Sequence, residues 1–246
     1  MEATGQPSYK DTIFATYAST HPIYSLRGVE LSPGRRAQIR RFLRRHAEIN
    51  KNSRLLDLGC GDGALLSVAR ELGIENLEGV DLSPEMVERA SAVGLAVKLQ
   101  DVLPFLDERP SESFDVVCAF DLLEHLDQKQ LLAVCQNVLR ILKKGGRFLI
   151  HVPNGASPFV GRILYGDITH ERAFTQESIQ QLLRTVGFTV IKVEEDEPVA
   201  RGVVSFLRLC LWRLVRFVTV FRLAIETGVV RGHLLTLNFF VVTRKV

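Results

Sequence analysis

The feature that most constrains the fold is an apolar run followed by alternating glycines, Leu55-Leu56-Asp57-Leu58-Gly59-Cys60-Gly61-Asp62-Gly63-Ala64-Leu65-Leu66. The run predicts a strand, the glycines a tight turn, and the apolar pattern beyond them the start of a helix. Glycine permits backbone angles closed to other residues and lets a ligand lie against the main chain. The helix that follows directs free N–H groups and a partial positive charge at that ligand. The stretch therefore predicts a nucleotide-sized pocket at the end of the first strand.

Acidic residues end the next two predicted strands, at positions that suit the rest of a nucleotide. Gly59, Gly61 and Ala64 also fit a dinucleotide fingerprint, so the glycines alone leave a nicotinamide cofactor open. Asp81 closes a second apolar segment, where a carboxylate would meet a ribose diol. Asp101 closes a third segment, beside the place expected for an adenine amino group.

A fourth apolar segment runs into a Glu-His-Leu turn. Together with the glycines and the acids, Glu124-His125-Leu126 resembles the Rossmann-like class I S-adenosylmethionine-dependent methyltransferases, in particular the branch with this turn after strand four. The resemblance covers residues 50–195 in matching order, with a last strand near 234–244. It implies an α/β fold: a seven-stranded, mostly parallel sheet with an antiparallel edge hairpin and a helical insertion before the last strand.

The resemblance also implies which residues bind the cofactor. They are Asp57, Gly59, Gly61, Gly63, Asp81, Leu82, Asp101, Val102 and Phe120. The glycines would surround the methionine portion of S-adenosylmethionine, supported by Asp57. Asp81 would bind the ribose hydroxyls, Asp101 with the backbone of Val102 would meet adenine, and Phe120 with Asp121 would line the sulfonium.

Two histidines are candidates for the catalytic base. His125 follows strand four and His170 lies in a long loop, and an imidazole titrates near neutral pH. Glu124 could orient either ring or cap the next helix. Ligation of a metal by Glu124, His125, Asp167 and His170 lacks the tight spacing of known ligand sets, so no metal site is expected.

The remaining patterns give the organisation of the chain. Strands are predicted at 53–58, 77–81, 96–100, 114–120, 147–152, 188–194 and 235–243, with helices at 32–49, 62–72, 83–92, 127–142 and 175–186. Residues 104–113 read as an irregular surface connection. Residues 153–174 read as a long loop, which favours a functional lid.

We expect four parts, because 246 residues leave little room for a second full domain. They are an N-terminal arm and basic helix at 1–49, the cofactor-binding core at 50–198, an Arg-rich amphipathic insertion at 199–233, and the last strand at 234–246. Tyr17 and His21 in the arm are candidate lid residues. No signal peptide is apparent in the first 20 residues.

The insertion is apolar but interrupted by arginines. Each arginine at a bilayer centre costs roughly 2.5–3.5 kcal/mol, so a spanning helix is not expected. On a helical wheel one half holds Arg201, Arg208, Arg213, Arg216 and Arg222, and the other holds Leu207, Cys210, Leu214, Phe217, Val218, Phe221 and Ile225. Such a helix either packs on the domain or a second copy of the chain, or lies on an anionic membrane leaflet. The basic helix near 35–45 could add to a membrane surface.

The resemblance to this family implies O-methylation of a hydroxyl on a small-molecule, glycan or lipid-linked acceptor. Alternatives are an NAD(P)-dependent oxidoreductase and a non-catalytic adaptor that retains the nucleotide-binding fold. The net charge of +3 is too small to argue for nucleic acid. The four cysteines show no Cys-x-x-Cys spacing, which predicts reduced thiols and a cytoplasmic chain. If the Arg-rich helix lies on a membrane, the contact is expected to be peripheral and at the inner face.

Overall fold

The computed structural model describes residues 9–22 and 31–246. Within them one sheet has the strand order β3-β2-β1-β4-β5-β7-β6. The strands are β1 (Arg54–Leu58), β2 (Asn76–Asp81), β3 (Val97–Leu99), β4 (Phe114–Phe120), β5 (Leu142–Pro153), β6 (Thr189–Glu195) and β7 (Asn238–Arg244). Strands β1 to β5 are parallel, whereas β7 is antiparallel to both β5 and β6. The expected mostly parallel sheet with an antiparallel edge is confirmed.

Helices cover the two faces of this sheet and its ends. They are α1 (Tyr9–Ala15), α2 (Tyr17–Thr20), α3 (Pro33–His46), α4 (Ala64–Glu71), α5 (Pro84–Ala92), α6 (Val102–Asp107), α7 (Gln128–Ile141), α8 (Val160–Leu164), α9 (Gln176–Val186) and α10 (Val203–Thr227). A short 3-10 turn, Leu123–His125, follows β4.

The core divides between the two faces because successive strand side chains point to opposite sides. Leu56 and Val117 belong to the cluster that packs under α6, α7 and α9. Leu55 and Val116, the neighbouring positions, belong to the cluster that packs under α3 and α4. Both faces of the central strands are thus buried, which fixes their carboxyl ends as a rigid platform.

The interpretation of residues 104–113 as irregular is wrong at its start, where α6 forms. The Asp101 carboxylate accepts a hydrogen bond from the Leu103 N–H at 2.8 Å and caps the helix. Pro104 lies in the first turn, where a missing N–H leaves no intrahelical bond unmade.

The Lys-Lys-Gly-Gly segment 143–146 does not separate helix from strand as predicted, because β5 begins at Leu142 instead of residue 147. Lys143 donates to both carboxylate oxygens of Asp115 at 2.9 and 2.8 Å, which joins the segment to β4. Gly145 has a φ of +77° and lies where the β4–β5 register shifts. An extended, bulged strand therefore replaces the expected turn.

Other boundaries differ by a few residues. The first core helix begins at Ala64 and not at Asp62, and the loop 153–174 contains α8. Helix α10 begins at Val203, so Arg201 precedes it. In the N-terminal arm, residues 1–8 and 23–30 lie outside the described residues. Among the residues that are described, no helix is both long and apolar enough to cross a bilayer.

Candidate active site

A cavity of about 380 Å³ lies at the carboxyl ends of β1, β2 and β4. Its volume falls within the range of small-ligand pockets, roughly 300–1,000 Å³. The predicted site residues that line it are Asp57, Gly59, Gly61, Asp81, Leu82, Asp101, Val102, Phe120 and His125. We call the wall formed by the glycine turn, Asp81 and Asp101 the cofactor side. The wall formed by α1, α2 and the Leu123–His125 turn is the acceptor side, and the loop 153–174 contacts it from outside the cavity through Asp167 and Thr169.

The glycine turn presents bare backbone to the cavity at Gly61. Its φ is +53°, and a Cβ atom there would meet nothing within 4 Å. Gly63 behaves differently: it caps α4 with a φ of +79°, and a Cβ there would lie 2.2 Å from Leu95 Cδ1. Gly63 therefore permits close packing against Leu95 and is not among the residues that line the cavity, and its expected place around the methionine portion stays a prediction.

Backbone N–H groups hold the Asp81 carboxylate in place. Gly61 donates to Oδ2 and Ser83 donates to Oδ1, each at 2.8 Å. Each carboxylate oxygen keeps a further lone pair that can accept from a ribose hydroxyl. Burial raises the pKa of Asp81, although these N–H groups oppose the rise. Burial likewise raises the pKa of Asp57 well above its ordinary value.

Helices α1 and α2 form part of the opposite wall, which Lys10, Phe14 and Tyr17 line. Lys10 Nζ donates to the His125 carbonyl at 2.7 Å, and the Tyr17 hydroxyl donates to Asp167 Oδ2 at 2.5 Å. His21 Nε2 lies 3.5 Å from the same carboxylate oxygen. The two candidate lid residues thus meet one carboxylate of the loop 153–174.

Hydrogen bonds determine the tautomer of His125. Thr169 Oγ1 donates to Asp167 Oδ1 at 2.6 Å, so its single proton is committed. His125 Nδ1 lies 2.8 Å from Thr169 Oγ1 and must therefore donate to it. The neutral ring then keeps a lone pair on Nε2. Burial, reinforced by His170, lowers the pKa of His125 to about 4.

His170 does not line the cavity but lies directly behind His125. Their ring centroids are 4.6 Å apart, and His170 Nδ1 is 2.9 Å from the Ile163 carbonyl oxygen. Glu124 is also buried here, and its Oε2 has no hydrogen-bond partner among the described residues. The fold brings these side chains together because the Glu171 N–H donates to the Glu124 carbonyl at 2.8 Å, which joins the loop to the turn.

A fully buried histidine, which sequence reasoning missed, contacts Asp121 and Arg35 of the cavity wall. His151 Nδ1 is 2.6 Å from Asp121 Oδ1, and its Nε2 is 3.4 Å from Asp196 Oδ2. Arg35 donates to Asp121 Oδ2 at 3.0 Å. Burial and the neighbouring Arg35 lower the pKa of His151, but the carboxylates of Asp121 and Asp196 together more than offset this and the net shift is upward. Its signal in the sequence is a histidine inside the apolar strand segment 148–152.

The comparisons with known proteins agree with this architecture. A family model described as a methyltransferase domain matches residues 33–193. The chain belongs to this methyltransferase domain family. O-methyltransferase resE of Aspergillus sclerotiorum is 30% identical over 171 residues, which cover 62% of this chain and 61% of that protein. A ubiquinone biosynthesis O-methyltransferase of Xanthomonas campestris pv. campestris is 33% identical over 108 residues, or 42% of this chain and 44% of the relative.

Solved structures show the same fold. A SAM-dependent methyltransferase from Archaeoglobus fulgidus superposes with a TM-score of 0.63 and 23% identity over 85% of this chain and 94% of that chain. The class I S-adenosylmethionine-dependent methyltransferase resemblance is confirmed, and S-adenosylmethionine is the cofactor of that class. The family match argues against the nicotinamide-dependent oxidoreductase. The chain spans less than two thirds of the length of the curated relatives described above.

The residues present fit that cofactor. Gly61 leaves open space where a ligand can lie against the backbone, and Asp81 offers fixed acceptors for a ribose diol. Asp101 lines the same wall, although its carboxylate already caps α6 through Leu103. We therefore expect the backbone of the glycine turn to make most of the contacts with S-adenosylmethionine on this wall.

Proposed function

We propose that the chain transfers the methyl group of S-adenosylmethionine to a hydroxyl oxygen of an acceptor held between the glycine turn and His125. The observation that carries this proposal is the place of His125 on the cavity wall. Its Nδ1 is committed to Thr169, and its Nε2 makes no hydrogen bond to any described residue. Two relatives named as O-methyltransferases support oxygen as the acceptor atom.

The sulfonium of the bound cofactor supplies a methyl group that is already activated. The protein must hold donor and acceptor in line and remove one proton. His125 accepts the hydroxyl proton at Nε2 as the carbon–oxygen bond forms and the carbon–sulfur bond breaks. The products are a methyl ether and S-adenosylhomocysteine. Asp81 and Gly61 hold the nucleoside, and Lys10 fixes the His125 backbone and closes α1 over the acceptor.

The walls of the acceptor side favour an acceptor with an apolar body. Phe14, Leu122 and Leu126 line the cavity around His125. Burying apolar surface there favours binding by about 25 cal/mol per Å². Within the proposed classes of small-molecule, glycan and lipid-linked acceptors, this lining favours a hydroxyl on an aromatic or lipid-bearing compound.

We further propose that α10 places the protein on an anionic membrane surface. None of its residues is buried, so the helix is not packed into the core of the domain. An apolar stripe, 55–82% exposed, repeats at intervals of three and four: Val204, Leu207, Leu211, Leu214, Val218, Phe221 and Ile225. Exposed apolar area on this scale marks an interaction surface.

Arginines around the stripe favour a lipid partner. At 100° per residue, Arg208 and Arg222 flank the stripe on one side, whereas Arg213 lies nearer to the face opposite the stripe. Arg216 lies opposite, where its Nε donates to Glu195 Oε2 at 2.5 Å and fixes the helix to β6. A second copy of α10 would bring like charges together, whereas anionic headgroups supply the opposite charge. This supports peripheral contact at the cytoplasmic face.

The transfer proposal is tested by calorimetric titration with S-adenosylmethionine and, separately, NADH. We expect micromolar binding of the sulfonium cofactor alone, lost in Asp81→Ala and retained in Asp107→Ala, an exposed carboxylate outside the cavity. Incubation with phenolic and lipid-linked hydroxyl acceptors should then release S-adenosylhomocysteine. Methyl groups recovered on nitrogen or carbon would overturn the assignment of O-methylation. Cofactor binding without turnover on hydroxyl acceptors would favour the alternative of a non-catalytic adaptor.

The membrane proposal is tested by sedimentation with two kinds of vesicle. One contains phosphatidylcholine alone, and in the other about one third of the lipid is anionic phosphatidylserine. Wild type should sediment only with the anionic vesicles. Two variants should no longer sediment with the anionic vesicles. One replaces Leu207, Leu214 and Val218 by Ser, and the other combines Arg208→Glu with Arg222→Glu. Equal sedimentation of all proteins would contradict the proposal, as would a concentration-dependent dimer that only the apolar substitutions dissolve.

A further inference from the structure

Two histidines and a glutamate converge behind the acceptor side from separate parts of the chain. Glu124 and His125 belong to the turn after β4, and His170 belongs to the loop after β5. One side-chain nitrogen or oxygen from each lies within 4.8 Å of the others. We propose that Glu124, His125 and His170 together bind one divalent transition-metal ion. This departs from the sequence expectation, because the spacing along the chain gave no sign of it.

The hydrogen bonds of the two rings support this role. His170 Nδ1 faces the carbonyl oxygen of Ile163, which can only accept, so the proton of the neutral ring is on Nδ1. His125 Nδ1 donates to Thr169 Oγ1 for the reason given above. Both rings are thus fixed through Nδ1 and keep an Nε2 lone pair. Metal-binding histidines are typically oriented in this way by a second N–H that donates to a carbonyl or to a polar side chain.

The glutamate supplies a second, independent observation. Glu124 is 1% exposed, and its Oε2 has no hydrogen-bond partner among the described residues. A buried carboxylate oxygen without a partner is costly, and a bound cation removes that cost. The Asp167 carboxylate is not one of the three proposed ligands. It accepts a hydrogen bond from Thr169 Oγ1, and this orients the hydroxyl that accepts from His125 Nδ1.

The ligand set indicates the class of metal. Two imidazole nitrogens and one carboxylate oxygen suit Zn²⁺, Mn²⁺ or Fe²⁺ better than Mg²⁺, which prefers oxygen ligands. Three protein ligands leave coordination positions open, as in catalytic metal sites. Because His125 lines the cavity, an open position can face an acceptor oxygen.

The inference rests on the proposed O-methylation and changes the role of His125 within it. A hydroxyl bound to the metal has a lowered pKa and releases its proton to solvent, so its oxygen is ready for the methyl group. His125 Nε2 then serves as a ligand instead of a proton acceptor. The two roles exclude each other at any one moment, and an experiment can separate them.

The test uses untagged full-length protein freed of metal with a chelator. Titration with Zn²⁺ or Mn²⁺ should show one ion per chain, and Mg²⁺ should bind at least tenfold more weakly. Glu124→Gln and His170→Ala should weaken binding at least about 100-fold, since even outer-shell partners are worth 10–100-fold. His233→Ala, at a half-buried histidine whose ring bonds only Val229 among the described residues, should bind as wild type does. Equal binding by all variants would overturn the site.

A second readout separates this inference from the proposed function. Co²⁺ bound to wild type should give a visible absorption band that His170→Ala lacks, whether or not any acceptor is methylated. With a hydroxyl acceptor and S-adenosylmethionine, metal-free protein should lose turnover at least tenfold and regain it with Zn²⁺ or Mn²⁺. Full turnover without metal would overturn activation by the ion and leave His125 as the proton acceptor. Should His170→Ala fail to fold, the isosteric Glu124→Gln tests the same site.

Discussion

The two sides of the cavity are built in different ways. The cofactor side consists of a turn, a helix start and two strand ends, and its polar contacts join backbone N–H groups to nearby carboxylates. The acceptor side is assembled from three separate segments through side chains. Its central contacts join Tyr17 to Asp167 and His125 to Thr169, positions 150 and 44 residues apart. One side depends on backbone geometry and the other on the correct placement of side chains.

This difference predicts independent failure of the two sides. A backbone site persists when neighbouring side chains change, but it is sensitive to any Cβ at its glycines. A side-chain site tolerates small backbone changes, but it loses function when one polar partner is removed. Variants of each side should therefore separate cofactor binding from methyl transfer.

The largest effect is expected for His125→Gln. Glutamine keeps a polar group facing Thr169 but lacks the imidazole Nε2, which is needed to accept a proton or to bind a metal. Turnover should fall about 10²–10⁴-fold, the usual contribution of a positioned acid–base group. Affinity for S-adenosylmethionine, measured by calorimetry, should change less than about threefold because the glycine turn is untouched. A parallel loss of both quantities would show that the two sides are coupled.

The next effect is expected for Gly61→Ala. The left-handed φ of +53° strains alanine by about 1 kcal/mol, and its methyl group enters the open space of the cavity. Cofactor affinity should fall about 10–100-fold. Gly73→Ala is the matched control, since Gly73 has a φ of +87°, no atom within 4 Å of its Cβ position and no place in the cavity wall.

Both glycine variants should lose similar stability in urea unfolding, and only Gly61→Ala should lose affinity. If Gly73→Ala weakened the cofactor equally, backbone strain alone would explain the effect. The cofactor side would then not depend on close approach of the ligand to Gly61.

The same contrast explains which parts could be predicted from the sequence. The glycine turn, Asp81 and the succession of strands and helices along the chain follow from local patterns, because a strand, a turn and a helix start are contiguous in the chain. The antiparallel edge of the sheet came from the family resemblance. Helix α6 was missed because Pro104 suggests a break, although it lies in a first turn where proline is tolerated. The start of β5 was missed because Lys-Lys-Gly-Gly is typical of a turn.

Side-chain clusters could not be predicted in this way. His151 is paired with Asp121 and Asp196, and no periodicity relates these three positions. His125 and His170 were each singled out, but their proximity depends on the path of the loop 153–174. Tertiary folding, not spacing, determines such clusters, so the sequence indicates their members at best.

A smaller effect is expected for Asp167→Asn. Asparagine keeps the shape but removes the charge that strengthens the hydrogen bonds from Tyr17 and Thr169. Turnover should fall about threefold to tenfold, and limited proteolysis around α2 should become faster as this helix loses the contact of Tyr17 with the loop. Asp107→Asn, on the exposed side of α6, is the control. Faster proteolysis without any change in turnover would show that Tyr17 closes the cavity without affecting the chemistry.

The smallest effect concerns α3, which contributes Arg35 and Ile39 to the cavity wall and is anchored at its end by His46. His46 Nε2 lies 2.9 Å from Glu194 Oε1 on β6. Burial raises the pKa of Glu194, but hydrogen bonds from His46 and Lys192 more than offset this and bring it from 4.5 to about 2. Since the pKa of the folded state is the lower one, the stabilisation is complete above pH 4.5 and is lost as the pH falls through 2.

Because Glu194 is only half buried, its contribution is screened and should amount to about 1 kcal/mol. Urea unfolding of wild type and Glu194→Gln should differ by about this much between pH 5 and 7, and the difference should vanish near pH 2. A difference that persists at pH 2 would mean that glutamine loses packing and not charge. The wall formed by α3 would then resemble the cofactor side, where geometry and not ionisation holds the parts together.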